Sequence, residues 1–376
     1  MYDRYNLTLM LTHNCTMRCD YCCMGQKRDI AMPAGLARHA IDRAIFSLAD
    51  GGTLELGFFG GEPLLEADLV LELLDYARQQ CQRREQCFEP CLTTNGTVTD
   101  PKAWVVLNSP GLHLAVSCDG IAEVHDAHRR LADGRPSSPI VHNTIRRLIY
   151  DKVLFRVAMV VRPETMSHLV EDARMLREMG VRHLAPALDL WSAWSEADEQ
   201  RLLATIAALA DFWGKGLPDN SIGWFDEKVP HIARMPVSPA TRRGFGNGAV
   251  AVAPSGRLYP CERLIGEDRP GDPMCIPGHA AEGRDFLRLP SPPGRKHETC
   301  RSCAMESMCN TSCQRGDYAR TGDTRRPDTL LSTLNQACLA EATRVLAKIC
   351  PAEATTATRP RRKRPAKRAI TVRATA

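Results

Sequence analysis

Three cysteines, Cys15, Cys19 and Cys22, stand within eight residues of one another, directly behind a short apolar run near the start of the chain. Thiolates spaced this closely can ligate one metal centre together. A cuboidal 4Fe-4S cluster asks for four ligands, so three cysteines leave one iron open to another molecule. From the residues alone, the alternatives are a disulfide or a structural zinc site that recruits His13 as its fourth ligand.

The spacing Cys-x3-Cys-x-aromatic-Cys, with Tyr21 in the aromatic position, resembles the signature of the radical SAM superfamily. The resemblance implies that the open iron binds the amino and carboxylate groups of S-adenosylmethionine (SAM). It implies that one-electron reduction, from a donor such as flavodoxin or ferredoxin, cleaves SAM to methionine and a 5'-deoxyadenosyl radical that abstracts hydrogen from the substrate. In such enzymes the cofactor carries the chemistry, and the protein places and shields it.

The composition fits this interpretation. The 376 residues include 16 cysteines and no signal-like or membrane-spanning segment, which predicts metal ligation in a reducing cytosol rather than a disulfide framework. We therefore expect a cytoplasmic protein with no membrane partner. The net charge of +5 comes from residues 351–376, which contain eight Lys or Arg and one Glu.

Strand and helix patterns alternate through the first 213 residues. They predict six strands over 6–12, 54–59, 88–93, 113–117, 154–161 and 183–188. Helices are predicted over 33–49, around 70–77, near 102, and over 141–150, 166–179 and 196–213, and Asp50-Gly51-Gly52 is predicted to end the first of them. This order predicts an α/β fold, a partial (βα)6 TIM-like barrel with its functional residues at the C-terminal ends of the strands.

The pattern changes after the sixth unit, which predicts four parts of the chain. They are a barrel over 1–213, a linker over 214–248, a cysteine-rich second domain over 249–350 and a basic, disordered tail over 351–376. Within the second domain, residues 249–253 and 257–259 flank Pro254-Ser255-Gly256 and predict a β-hairpin.

Polar residues beside glycines follow three of the predicted strands. By resemblance to the family, the SAM-binding residues are Tyr21, Gly60, Gly61, Glu62, Asn95, Ser117 and Arg129. The Gly60-Gly61-Glu62 motif would hold the SAM amino group, and Arg129 would pair with the SAM carboxylate. From the residues alone, a Gly-Gly pair is usually a plain turn and Arg129 is equally well a surface arginine.

A second cysteine group, Cys300-x2-Cys303-x5-Cys309-x3-Cys313 followed by Cys338, resembles the SPASM domain of many radical SAM enzymes. The resemblance implies one auxiliary 4Fe-4S cluster held by Cys300, Cys303, Cys309 and Cys338. Cys261 and Cys313 would serve another, with Cys275 as the third candidate because the first upstream cysteine of the family pattern is missing. Considered without the first motif, the four closely spaced cysteines would also satisfy a zinc ion.

Glu262 follows Cys261, where an aspartate is thought to act as a base in the sulfatase-maturing members of the family. The resemblance implies that Glu262 is a catalytic base, although a solvated loop glutamate is the simpler interpretation. The whole pattern is most similar to peptide and sulfatase maturases of the oxidoreductase type. It implies hydrogen abstraction from a peptide or protein side chain, ending in an oxidation, a thioether link or a carbon-carbon crosslink.

Two other functions fit parts of the sequence. The missing upstream cysteine favours a radical SAM dehydrogenase of a small molecule, such as an aminosugar. A non-catalytic zinc protein whose basic tail binds nucleic acid would contain no iron and would bind in a strongly salt-dependent way; the cysteine motifs disfavour it. For the maturase we expect a separate partner for leader recognition, because the barrel starts within six residues of Met1.

Deleting residues 351–376 should leave SAM cleavage and iron content unchanged, because the tail lacks apolar periodicity and contains no cysteine. If the tail recruits an acidic partner, the deletion weakens only that binding. Added salt should weaken it too, since exposed charges are screened over about 10 Å at 0.1 M. Iron analysis and a SAM-cleavage assay check this, and a truncated protein that loses iron or solubility would contradict it.

Overall fold

The computed structural model describes residues 1–235, 248–290, 314–324 and 326–349. The predictions for Cys300, Cys303, Cys309, Cys313 and the tail at 351–376 lie outside these residues. Among the helices that the structure describes, none is long and apolar enough to cross a membrane.

A single sheet contains every strand of the described residues. The strands are β1 (Tyr2–Met10), β2 (Leu48–Phe59), β3 (Cys87–Thr94), β4 (His113–Ser117), β5 (Phe155–Val161), β6 (His183–Leu188), β7 (Ser221–Ile222), β8 (Ala249–Val252), β9 (Arg257–Tyr259) and β10 (Ile276–His279). Their order across the sheet is β10-β9-β8-β1-β2-β3-β4-β5-β6-β7. Neighbours from β8 through β1 to β7 are parallel, whereas the β8–β9 and β9–β10 pairs are antiparallel.

Helices connect the parallel strands and cover the outside of the sheet. In the described residues they are α1 (Ala34–Ser47), α2 (Ala67–Arg83), α3 (Pro101–Leu107), α4 (Ala122–His128), α5 (Ser138–Tyr150), α6 (Leu169–Glu178), α7 (Glu196–Lys215), α8 (Gly223–Asp226), α9 (Val229–Ile232), α10 (Gln314–Thr321) and α11 (Thr329–Ile349). The predicted partial barrel of six strand-helix units is therefore confirmed for β1 to β6 and the helices that follow them.

The strand boundaries from β3 to β6 agree with the predicted ones to within one residue. The prediction that Asp50-Gly51-Gly52 ends the first helix is wrong. Helix α1 ends at Ser47, and these three residues lie inside β2. The buried Leu48 already pairs with Tyr2, and an irregularity in the register follows, with Gly51 at a φ of 69°.

The predicted hairpin is confirmed as β8 and β9, and Gly256 in its turn has a φ of 86°. Sequence reasoning did not foresee that β8 pairs in parallel with β1, from Asn6 opposite Ala249 to Leu9 opposite Val252. The cysteine-bearing region thus continues the sheet of the barrel. The predicted domain boundaries themselves stay a prediction.

The two faces of the sheet differ in side-chain size. Leu7, Leu56, Val116 and Val157 face the helices and are fully buried. The residues that face the inside of the barrel are mostly small, among them Thr8, Gly57, Cys91, Thr93, Ala115, Ser117, Ala158, Ala185 and Ala187. Closed barrels fill this space with bulky branched side chains. Here the small side chains leave it open as a cavity.

Candidate active site

Cys15, Cys19 and Cys22 lie on the loop that follows β1 and all line one cavity of about 420 Å3. Its size is in the usual range for small-molecule sites. The three residues are free thiols, so the disulfide alternative is not the state seen here. Of the predicted SAM-binding residues, Tyr21, Gly60, Gly61, Asn95, Ser117 and Arg129 line the same cavity.

The end of β2 holds the cysteine loop in place through main-chain contacts. The amide of Gly61 donates to the Thr12 carbonyl at 2.7 Å, and the amide of Glu62 donates to the Asn14 carbonyl at 2.9 Å. A Cβ atom on Gly61 would lie 2.0 Å from the Asn14 oxygen, and one on Gly60 would lie 2.7 Å from the Thr12 oxygen. Only glycine fits at these two positions, because the cysteine loop packs so closely against them. The Gly-Gly pair is therefore not a plain turn.

Glu62 is fully buried, and it does not line the cavity. Its carboxylate accepts hydrogen bonds from Thr94 Oγ1 at 2.7 Å and from the Asn95 and Leu64 amides at 2.7 and 3.1 Å. Burial raises the pKa of Glu62 to about 7. The side chain thus ties the end of β2 to the end of β3, and its predicted contact with SAM stays a prediction.

Asn95 connects β3 to the cysteine loop. Its Nδ2 donates to Thr16 Oγ1 at 3.0 Å and to Cys15 Sγ at 3.5 Å, while its Oδ1 accepts from the Thr97 amide at 2.9 Å and from the Thr97 hydroxyl at 2.7 Å. A bond from an amide to sulfur favours the thiolate form that a metal requires. Lys27 places a positive charge beside another of the three cysteines, with Nζ 2.9 Å from Cys22 Sγ.

A buried ion pair supports Tyr21. Arg129 Nε donates to Asp119 Oδ2 at 2.9 Å, and the Tyr21 hydroxyl donates to the same oxygen. The guanidinium carbon of Arg129 lies 5.2 Å from the centre of the Tyr21 ring. Burial alone would raise the pKa of Asp119, but the Arg129 charge outweighs it and the pKa lies below its usual value.

Arg129 is 7% exposed, so the surface-arginine alternative is wrong. The sequence interpretation did not assign a role to Asp119, although it lies in the Ser117-Cys118-Asp119-Gly120 segment at the end of β4. A carboxylate beside a strand-end glycine was the signal that could have identified it.

The zinc alternative needs His13 beside the three thiols. His13 is instead buried with its Nε2 3.7 Å from Asp268 Oδ2. No three His, Cys, Asp or Glu side chains in the described part of the chain converge as a single metal ion requires. A 4Fe-4S cluster takes each cysteine on a different iron, so its thiolates need not converge on one point. The donor set of three thiols on one cavity therefore fits the cluster.

Burial raises the pKa of the Cys15 thiol and raises that of Cys19 to about 12. Both are therefore protonated at neutral pH in the absence of metal. Ligation of iron must displace these protons, which couples assembly of the site to metal binding.

Glu262 and Arg263, which directly follow Cys261, line the cavity from the side of the second region. Glu262 Oε2 lies 3.3 Å from Cys261 Sγ. The fold therefore brings the predicted base to the same cavity as the three cysteines, although Cys22 and Glu262 are far apart in the sequence.

A short segment after Glu262 joins the second region to the cysteine loop. Glu267 accepts from the Gln26 amide at 2.7 Å through Oε1, and its carbonyl accepts from Arg28. Next to it, Asp268 is buried and faces His13. Burial would raise the pKa of Asp268, but its polar partners, His13 first among them, lower it to about 2.

The described auxiliary cysteines occupy two places. Cys261 and Cys275 pack in a small cluster with Met10, Met24 and neighbouring side chains of the hairpin region. Cys338 lies on α11, is 1% exposed and belongs to the main core. This separation is compatible with two auxiliary sites, and the ligand assignment stays a prediction.

Comparison with known proteins gives a consistent picture. Residues 9–176 match the family model described as the radical SAM superfamily. A cysteine-type anaerobic sulfatase-maturating enzyme of Clostridium novyi is 24% identical over 67% of this chain and 71% of its own length. A PqqA peptide cyclase of Rhodopseudomonas palustris is 25% identical over 85% and 84%. An uncharacterized protein of Methanocaldococcus jannaschii is 26% identical, and the match spans 48% of this chain and 61% of that protein.

The fold is also similar to a solved structure, native anSMEcpe with bound AdoMet and Kp18Cys peptide. The TM-score is 0.72 at 18% identity, over 92% of this chain and 98% of that one. At this identity the likeness shows the fold alone, and it agrees with the α/β architecture described above.

Replacing Gly61 with alanine should displace the cysteine loop, because the new Cβ has no room beside the Asn14 carbonyl. We expect a loss of about 1–3 kcal/mol in unfolding free energy, as for other overpacked sites, together with reduced iron content. Gly35→Ala is the matched control, since nothing lies within 4 Å of its added Cβ. Iron analysis and urea unfolding under anaerobic conditions check this, and equal iron content and stability in the two variants would refute it.

Proposed function

We propose that this chain, an enzyme of the radical SAM superfamily, cleaves SAM at Cys15, Cys19 and Cys22 and modifies a peptide or protein side chain in the same cavity. The observation that carries the proposal is that the three thiols and Glu262 line one cavity inside the partial barrel. A site that only binds metal would not need a cavity beside its ligands, whereas a reaction on a bound substrate does.

Cys15, Cys19 and Cys22 would hold a 4Fe-4S cluster, and SAM would take the remaining iron. The cluster and SAM together supply an organic radical that removes a hydrogen atom from the substrate. The chain contributes the surroundings: Asn95 and Lys27 donate hydrogen bonds to the ligating sulfurs, which offsets their negative charge.

Several residues at the strand ends are placed to bind SAM. The main chain at Gly60 and Gly61 borders the cavity with no side chains in the way, and Ser117 offers a hydroxyl. Arg129 meets Asp119 through Nε, so its two terminal nitrogens are the part that would pair with the SAM carboxylate. Asp119 and Tyr21 fix the orientation of Arg129.

Glu262 is the proposed general base. An oxidation of a substrate carbon removes a hydrogen atom, a proton and an electron. A carboxylate facing the cavity can accept the proton, and an auxiliary cluster would accept the electron. Glu262 borders the cavity and is linked to the cysteine loop through the segment that holds Glu267 and Asp268. This position next to Cys261 is the one that the family resemblance assigns to a base.

A polypeptide substrate is favoured over an aminosugar by the named relatives. The sulfatase-maturating enzyme and the peptide cyclase each match about two thirds or more of this chain, and their names refer to protein and peptide substrates. The bond formed would be an oxidation, a thioether link or a carbon-carbon crosslink. An external electron donor of the flavodoxin or ferredoxin class and a separate leader-recognition partner complete the proposal.

We expect Glu262→Gln to cleave SAM at close to the normal rate but to lose at least about 100-fold in peptide product, because general-base catalysis contributes this much. The control is the triple Ala variant at Cys15, Cys19 and Cys22, which should form no 5'-deoxyadenosine. Product is measured by mass spectrometry on a candidate peptide substrate, such as a short precursor found among the neighbouring genes. A triple variant that still cleaves SAM would overturn the radical SAM assignment. A Glu262→Gln variant with full activity would show that Glu262 is not the general base. Turnover of an aminosugar but no peptide would select the small-molecule alternative.

The second region is proposed to hold two auxiliary clusters, one closed by Cys300, Cys303, Cys309 and Cys338 and one on Cys261, Cys275 and Cys313. The triple Ala variant lacks the first cluster, so iron analysis should give about eight irons per chain, two cubanes' worth. A value of about four would mean that the three-cysteine site does not assemble.

A further inference from the structure

The cavity that contains the three cysteines continues down the inside of the barrel. Its lower part is lined by Asn6, Glu55, Cys91 and Arg156, which lie on β1, β2, β3 and β5. Arg156 is opposite Ala115 in the register of β4 and β5, two residues before Ser117. Two residues of strand correspond to about 7 Å, so this floor lies below the ring of strand ends that surrounds the SAM site.

Arg156 is the distinctive group of the floor. Val157 on β5 is buried against the helices, whereas Arg156, Ala158 and Val160 line the cavity. Arg156 is exposed, and within the described residues its side chain makes no hydrogen bond or ion pair. An arginine that lines a cavity normally has a carboxylate or another acceptor as its partner.

The other charges on the floor are already matched. Arg4 Nη1 lies 3.4 Å from Glu55 Oε2, and the same guanidinium makes a bidentate contact with Glu89 at 2.7 and 3.0 Å. Glu55 and Glu89 are therefore held by Arg4, and neither makes a direct contact with Arg156. The cation of Arg156 is left for a molecule that enters the barrel.

We propose that Arg156 forms a subsite for a carboxylate of the peptide substrate, either an Asp or Glu side chain or the C-terminal carboxylate. This inference rests on the proposed function, because it assumes that a peptide enters the cavity. The small side chains at Gly57, Ala115 and Ala158 leave a path from the cysteines to the floor. A guanidinium binds a carboxylate through two parallel hydrogen bonds, which gives both affinity and orientation.

Cys91 offers a direct probe of this charge. It is a partly exposed cysteine on the same cavity, and its Sγ lies 4.0 Å from Glu55 Oε1. Iodoacetate and iodoacetamide alkylate thiols with the same chemistry but differ in charge. The ratio of their rates at Cys91 therefore reports whether the floor attracts anions. Cys87 is exposed and does not line the cavity, so it supplies the reference ratio in the same sample.

The experiment uses the reconstituted holoenzyme under anaerobic conditions, with alkylation at each cysteine followed by mass spectrometry. For the wild type we expect a rate ratio at Cys91 about three- to tenfold above that at Cys87, at or below the roughly tenfold lower limit of what charge in a cleft contributes to association. In Arg156→Gln the ratio should fall to that of Cys87 or below, because Glu55 then repels the anion. Arg156→Lys should retain part of the preference.

Arg174→Gln is the matched control, since Arg174 is exposed on the outer helix α6, and it should behave as the wild type. Three capped tripeptides then compete with iodoacetamide at Cys91: Ac-Gly-Glu-Gly-amide, Ac-Gly-Gln-Gly-amide and Ac-Gly-Gly-Gly with a free C-terminus. Protection by the first identifies a side-chain carboxylate, and protection by the third identifies a terminal one.

An unchanged rate ratio in Arg156→Gln, or protection by the glutamine peptide equal to that by both acidic peptides, would overturn the subsite. The tripeptide competition uses wild-type protein only. It therefore tests whether the cavity binds a carboxylate even if the Arg156 variants fold poorly. Failure of the proposed function would appear differently, as SAM cleavage that does not depend on Cys15, Cys19 and Cys22. The alkylation ratio is measured without turnover and is independent of that result.

Discussion

The contact between two stretches of main chain, Gly60-Gly61 and residues 12–14, is the constraint on which the rest of the site depends. The amides at the end of β2 bond the carbonyls of the loop after β1 at 2.7 and 2.9 Å, a distance that excludes any side chain. This contact fixes the main chain immediately before Cys15. Glu62, the next residue, then bonds Thr94 and Asn95, and Asn95 returns to Cys15. Three strand ends are thereby held in one closed set of hydrogen bonds around the first thiol.

A buried ion pair also holds the site in place, on the other side of the cysteine loop. Asp119 and Arg129 are both nearly inaccessible to solvent, and each satisfies the other. Removing one partner of a buried pair typically costs about 3–5 kcal/mol, because the remaining charge is left without compensation. The pair therefore resists rearrangement, and Tyr21, bonded to Asp119, is held with it. Rigid support of this kind matters for an enzyme whose substrate must meet a reactive group in one orientation.

Local patterns in the sequence predicted most of the barrel, because a parallel strand buried on one face and the helix after it each leave a periodic apolar signal. The errors occur where a distant partner decides the structure. Asp50-Gly51-Gly52 resembles a helix stop, but pairing with β1 draws Leu48 and the residues after it into a strand. A contact between strands that the sequence did not indicate is the hydrogen bond from Thr94 on β3 to the Glu62 carboxylate. The motifs located the edge of the sheet at which the cavity lies, whereas the structure was needed to show which side chains reach that cavity.

The side chains inside the barrel also indicate that the interior binds a ligand. An apolar core would place bulky residues at Gly57, Ala115 and Ala158 and would leave no charge at Arg156. The chain instead keeps a polar, open interior, which gives up packing that would stabilise the fold. Such a departure from good packing is expected where a ligand takes the place of the missing side chains. In the function proposed here, the open interior and the cysteine loop above it act together: the loop would hold the reactive group, and the walls below it would select the substrate that this group meets.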